Sequence, residues 1–405
     1  MKGDILFLCQ FFYPENVSSA TLPFDTAKHL ASSGFKVGAL CGYPKEYFNA
    51  KTVPLKETVS NVDIKRLKYI QPGRKSKIGR LVNYFSFTLS AFLHIGTLKK
   101  YKSVIVYSNP PILPAVAVLA KKLFKIKVVF VAYDIYPEIG YASGIIKKGN
   151  IIDRVMHKLN RSLYRNADRV VTLTDEMKEY ILSNRDGITG NRITSIANWA
   201  HEKFTTVTED AYKHFGYKNG QFVVSYFGNM GICQDVETML QAAKLLKNND
   251  EIKFLIVGHG NKKQYVANFI ADNELNNVQL LDYLIGDDFE KAVAITSCCV
   301  VSLENGLKGM CAPSKYYSYL QGGHPIIAIV ESGSYLAEEV VSEMIGCHVE
   351  VGDSEELCNH LKNICNNIDE RLKMGERARH LYLNRYDKNI AMNKYQTMFD
   401  KLLVE

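Results

Sequence analysis

Strand-length apolar runs alternate with amphipathic stretches along almost the whole chain. "DILFLC", "KVGALC", "SVIVYS", "KVVFVAY" and "RVVTLT" adjoin helical patterns at 21–33, 112–123, 151–166 and 175–184. After residue 200 the pattern restarts: "FVVSYFG", helix 236–247, "IKFLIVG", helix 261–272, "VQLLDYL", helix 287–296, "CCVVSL", helix 314–321, "PIIAIV", helix 334–343. Runs that are apolar throughout are buried on both faces, which marks parallel strands covered by helices on each side. Two such cycles predict an α/β protein of two doubly wound domains, residues 1–200 and 201–385, joined near 198–203. Ligands are expected in a cleft at the C-terminal ends of the strands. A last amphipathic stretch, 386–405, follows a break at "NRYDK". Its pattern alone would let it pack on either domain, and we expect it to cross back to the first.

The chain has 405 residues and is 47% hydrophobic, enough for two or three domains with real cores. Nine cysteines without a C-x-x-C pair or Cys/His metal spacing indicate a reducing compartment and no metal site. The N-terminal apolar run is too short for a signal peptide and reads as a strand. The segment "LVNYFSFTLSAFLHIGTL" (81–98) is broken by Asn83, Ser86, His94 and Gly96, so no bilayer span is expected. A cytoplasmic protein follows.

The net charge of +8 conceals an asymmetry: residues 1–200 hold 30 Lys/Arg against 14 Asp/Glu, and the remainder 20 against 28. The densest basic stretch, "KRLKYIQPGRKSKIGR" (65–80), runs into the aromatic segment that follows. Such a pairing suits an anionic lipid surface, at about 1 kcal/mol per cation. A solvated loop before a core helix is the alternative. No nucleic-acid motif accompanies the charge.

The stretch "MCAPSKYYSYLQGGHPIIAIV" (310–330) poses a specific problem. Ser314 suits an N-cap, Gly322 and Gly323 can end a helix, and "PIIAIV" reads as a buried strand. Lys315 in the first turn opposes the helix dipole, at a cost of about a few tenths of a kcal/mol unless an anion sits there. At "FGNMGICQDVE" the glycines permit a tight turn and Asp235 can cap the next helix. "AYDIYPE" carries Asp134 and Glu138 to the end of a buried strand.

These stretches, with "FFYPENVSSATLPFDTAKHLASSGFKV", "YSNPPILPAVAVLAKKL", "RNADRVVTLTDEM", "ITSIANWAH" and "LIVGHG", resemble retaining glycosyltransferases of family 4 over nearly the whole chain. The likeness is strongest to the bacterial surface-polysaccharide subgroup that includes N-acetylfucosamine transferases. It implies a GT-B fold, two Rossmann-like domains facing a central cleft, and a nucleotide-sugar diphosphate as the missing anion. Donor binding is then expected at Gly228, Asn229, Gly231, Gln234, Gly258, Tyr283, Pro313, Ser314, Lys315, Ser318 and Tyr319. Asn16, Ser18, Ser19 and Asn109 are expected on the acceptor side. Asp134, Glu138 and Lys315 are the candidate catalytic groups, with helix capping and a surface ion pair as the alternative for the two carboxylates.

The chain departs from the family in several places. Asn229 and Gln234 stand where an Arg and a Lys are usual, which shifts charge neutralisation onto Lys315. The acidic pair of the family falls on Met310 and Ser318, and His201 replaces a frequent Asp. Glu304 is near the site or is an exposed loop carboxylate. The implied reaction moves a sugar from a nucleotide diphosphate, with UDP-linked and N-acetylated amino sugars among the candidates, to a polyprenyl-diphosphate-linked acceptor at the cytoplasmic face of the inner membrane. Configuration would be retained and no metal or other cofactor required. A nucleotide-sugar epimerase of the same fold and a non-catalytic partner subunit are the competing readings.

Overall fold

The computed structural model describes residues 2–404 apart from 46–51, 73–76, 143, 145 and 201–208. His201, the linker around it and the centre of the basic stretch 65–80 lie outside the described residues. The chain divides into two units. The first comprises Met1–Asn198, Gly309–Ala312 and Lys388–Glu405; the second comprises Trp199–Lys308 and Pro313–Asp387.

The first unit is built on strands β1 (Gly3–Cys9), β2 (Val37–Gly42), β3 (Lys56–Val59), β4 (Val62–Leu67), β5 (Tyr101–Tyr107), β6 (Lys127–Ala132), β7 (Arg169–Thr172) and β8 (Ile193–Ser195). They form one sheet in the order β3-β4-β2-β1-β5-β6-β7-β8, parallel except for the β3/β4 pair. Ile5, Leu8, Val104, Val106 and Val128 are fully buried, as strands covered on both faces require. The helix Lys77–Leu93 seats Phe87 and Ala91 in this core, with Phe87 edge-on to Tyr69 at 5.2 Å. The C-terminal helix Lys388–Val404 lies on the helix Ser18–Ser32. Lys388 pairs with Asp25 at 2.7 Å, the Ser33 hydroxyl donates to Gln396 Oε1 at 3.0 Å, and Met392, Phe399 and Leu402 are buried.

Residues 309–312 also belong to this unit, an interruption of the second domain that the sequence periodicity does not predict. Ile135 N–H donates to the Met310 carbonyl at 2.9 Å, Cys311 forms an isolated antiparallel bridge with Asp134, and Gly309 N–H donates to Glu176 Oε2 at 3.0 Å. Gly309 has φ +71, and a Cβ there would stand 3.0 Å from that of Tyr180. Only glycine fits without strain.

The second unit holds β9 (Phe222–Asn229), β10 (Ile252–His259), β11 (Val278–Leu281), β12 (Cys298–Ser302), β13 (Ile326–Ile329) and β14 (Gly346–Val349). All pairings are parallel, in the order β11-β10-β9-β12-β13-β14. Counted from its own first strand, this is the 3-2-1-4-5-6 order of a Rossmann-like domain, with its switch point between β9 and β12. The aromatic helix Lys315–Gly322 ends on Gly323, φ +70, and buries Tyr316, Tyr317 and Tyr319. Tyr316 donates to Glu339 at 2.6 Å. The aromatic run is thus a core-facing stripe.

Candidate active site

In the second unit the site grows from the crossing of two strand ends. β9 ends at Gly228-Asn229 and β10 at Gly258-His259. Gly258 has φ +151, and a Cβ there would come within 1.9 Å of the Gly228 carbonyl, so the two backbones approach as no side chain would allow. Beyond β9 the chain turns tightly. Met230 N–H donates to the His259 carbonyl at 2.6 Å, and Gly231 N–H to Gln234 Oε1 at 3.0 Å. Asp235 then caps the helix Glu237–Leu245, accepting from Glu237 N–H at 3.0 Å and Thr238 N–H at 3.3 Å. Gln234, expected to donate to a ligand, spends its oxygen inside the turn. Only its amide nitrogen is left for that purpose.

Lys315 reaches this turn from its helix. Its Nζ lies 3.5 Å from the centroid of the Tyr226 ring, and a Cβ on Gly228 would stand 3.9 Å from it. The atom is buried and has no hydrogen-bond partner among the described residues. Burial pushes the Lys315 ammonium well below the ordinary lysine range, against a small opposing effect of Cys299. Tyr226 is itself fixed, its hydroxyl donating to the Asn229 carbonyl at 2.8 Å. A buried cation normally finds an anion or several acceptors, and among the described residues this one has beside it a ring, a glycine turn and the Cys299 thiol.

The other expected donor residues fall into separate roles. Ser314 occupies the N-cap position with helical backbone angles and makes no side-chain cap, which corrects the capping role read from sequence. It is exposed, while Pro313 and Ser318 are half-buried. Tyr319 is buried with its hydroxyl held by the Phe227 backbone, accepting from N–H at 2.9 Å and donating to the carbonyl at 3.2 Å. It fixes the helix to β9. Tyr283 is exposed, its ring 6.0 Å from that of His259. Lys262, which sequence reasoning passed over, bonds the Gln234 carbonyl at 2.7 Å and pairs with Glu304. Glu304 is thereby a bound partner of the turn. Only "GHGNKK" pointed to Lys262, and a lysine pair after a strand is too common to single out.

In the first unit Asp134 follows β6 and is half-buried, with Ser108 Oγ accepting from its N–H at 3.2 Å. Loss of solvent raises its carboxyl to about 6. Glu138 is held in a buried ion pair with Arg185 at 2.6 Å, and Arg185 also donates to the Tyr136 carbonyl. Its carboxylate therefore acts first as a structural counter-ion. Asn109 Oδ1 is buried with no partner among the described residues. Ser18 and Ser19 open the helix Ser18–Ser32, which Val17 precedes without a side-chain cap, and Asn16 is exposed. Asp134 and Glu138 thus belong to one unit and Lys315 to the other. No group of three or more metal-ligating side chains exists among the described residues.

Residues 24–199 match the glycosyl transferase 4-like domain, and residues 208–381 match the glycosyl transferases group 1 family. The chain is 25% identical over 350 residues to the probable glycosyltransferase WbjE of Pseudomonas aeruginosa, covering 85% of this chain and 86% of WbjE. Its fold is similar to that of WaaG, a glycosyltransferase involved in lipopolysaccharide biosynthesis, with TM-score 0.71 and 12% identity over 98% of this chain and 99% of WaaG. It is also similar to Anabaena HepE in complex with UDP, with TM-score 0.69 and 15% identity over 99% of both chains. The paired Rossmann-like domains are those of the GT-B fold, and the chain, a 4-like domain followed by a group 1 domain, belongs to the glycosyltransferases.

Proposed function

We propose that this glycosyltransferase uses a nucleoside diphosphate sugar, a UDP-sugar in the first instance, and holds the diphosphate in the second unit between Lys315 and the turn after β9. One observation carries the reading: a lysine ammonium buried at the switch point of a Rossmann-like sheet with no hydrogen-bond acceptor among the described residues. A diphosphate supplies the missing acceptors, and Lys262 and the Asn229 amide flank the same turn. UDP bound to HepE is in keeping with this choice of donor. The acceptor we propose is a polyprenyl-diphosphate-linked sugar in O-antigen, capsule or exopolysaccharide synthesis at the inner face of the membrane, in line with WaaG's role in lipopolysaccharide biosynthesis.

The chemistry we propose retains configuration. The acceptor hydroxyl attacks on the face from which the nucleotide leaves, and the departing phosphate takes its proton. Asp134, whose carboxyl stands near 6, would orient acceptor hydroxyls. Lys315 would offset the charge that develops on the leaving diphosphate. Isothermal titration with UDP, GDP and ADP tests the donor half: UDP should bind in the micromolar range, and the absence of binding by all three would contradict the reading.

A further inference from the structure

We infer that the exposed face of the helix Lys77–Leu93 docks this protein on an anionic lipid bilayer by inserting an apolar ridge, which deepens the proposal of a lipid-linked acceptor and rests on it only for its purpose. Ile78, Val82, Phe85, Leu89, Phe92 and Leu93 are all exposed, Ile78 at 74%, Phe85 at 60% and Leu93 at 72%. At 3.6 residues per turn these six fall within an arc of about 100°. The opposite side is anchored in the first unit. Phe87 and Ala91 are in the core, Asn83 accepts from Gln10, and the Ser86 and Ser90 hydroxyls donate to the Ile70 and Lys68 carbonyls at 3.0 Å each. The helix is therefore rigidly held with an apolar stripe facing solvent, the arrangement of an interfacial helix.

The charge around the ridge selects its occupant. Between Asp63 and Asp134 the chain carries 14 Lys/Arg and no Asp or Glu, and of these Arg66 pairs with Glu57, Lys102 with Asp4 and Lys121 with Asp168. Lys68 is exposed on the stretch that Ser86 and Ser90 pin along the helix, and Lys99 and Lys100 are exposed just past its end. A second copy of the chain would set the same exposed lysines, Lys68, Lys99 and Lys100, against their own counterparts. Acidic headgroups complement these cations while acyl chains receive the ridge. No helix among the described residues is long and apolar enough to cross a membrane, so docking would be interfacial.

The test is flotation of the full chain with phosphatidylcholine vesicles containing or lacking phosphatidylglycerol. We expect binding that depends on phosphatidylglycerol, weakens with salt and falls at least about tenfold in a Phe85→Ser/Leu89→Ser variant. Both side chains are exposed, so the variant should keep the melting temperature of the parent and its affinity for UDP. A Lys99→Gln/Lys100→Gln variant should lose binding less severely and respond less to salt. Failure of the parent to float, equal binding to both vesicles, or unchanged binding by the serine variant would overturn the inference. So would light scattering that shows a dimer dissolved by the serine substitutions, which would make the ridge a contact between copies. UDP affinity, measured alongside, reports on the donor site independently.

Discussion

Replacing Lys315 separates two effects of one buried amine. In the unliganded protein its Nζ has a ring at 3.5 Å and no acceptor among the described residues. An unsatisfied buried donor costs about 1–3 kcal/mol, and a desolvated cation–π contact returns about 2. These nearly cancel, so Lys315→Met should leave stability within about 1 kcal/mol of the parent. Binding should behave differently, because a charge-assisted contact to phosphate contributes about 1.5–3 kcal/mol. Affinity for UDP should then fall roughly 10- to 150-fold. Proton linkage gives the sharper readout. Lys315 has a depressed pKa in the free protein, and a bound diphosphate would raise it again. Between those two pKa values, binding takes up a proton, so affinity falls as pH rises. The same depression means that the unfolded chain binds more protons, so stability of the free protein rises with pH up to the ordinary lysine range. Titration calorimetry in two buffers of different ionisation enthalpy, run as a pH series above about pH 6 where a terminal phosphate is ionised, should report proton uptake on UDP binding within that window. A Lys315→Arg variant should report none. Zero uptake by the parent, or an unchanged dissociation constant in Lys315→Met, would refute the reasoning.

Three further outcomes are expected. Asp134→Asn should lower turnover while leaving the UDP dissociation constant unchanged. Because the carboxyl is raised to about 6 in the folded state, the parent loses stability as pH rises from about 4 to 6, and thermal melts of the variant should show no such loss. Glu138→Gln leaves Arg185 as an uncompensated buried charge and should cost about 3–5 kcal/mol by denaturant unfolding, an effect absent if the pair is solvated. Gly258→Ala sets a Cβ against the Gly228 carbonyl at φ +151 and should destabilise by about 3 kcal/mol or more; soluble variant with normal UDP affinity would show that the strand ends can part.

The alternation of apolar runs and amphipathic stretches carried much of the architecture, because burial on both faces writes an unbroken signal into strands such as β1 and β9. The ribbon of β3 and β4 escaped it. "KETVSNVDIKRL" lies at the sheet edge with polar residues on its open face, and its turn is set by Ser60 and Asn61 at φ +50 and +62 rather than by a glycine. Residues 309–312 escaped for a different reason: their partners, Asp134, Ile135 and Glu176, are far away in the chain. Within the site, Lys315 was conspicuous because a cation in a first helical turn opposes the dipole. Lys262 was not, since its role depends on the Gln234 carbonyl and on Glu304, which only folding brings to it. Tyr319, expected at the donor from the resemblance, has its hydroxyl on the Phe227 backbone, a partner that only folding brings to it.

The central claim is that Lys315 and the turn after β9 hold a nucleoside diphosphate. A crystal structure of the protein grown with UDP tests it most directly. The account predicts the diphosphate beside Gly231, with the Lys315 ammonium moved off the Tyr226 ring to about 2.7–2.9 Å from a phosphate oxygen. A diphosphate bound elsewhere, with Lys315 still on the Tyr226 ring, would contradict it.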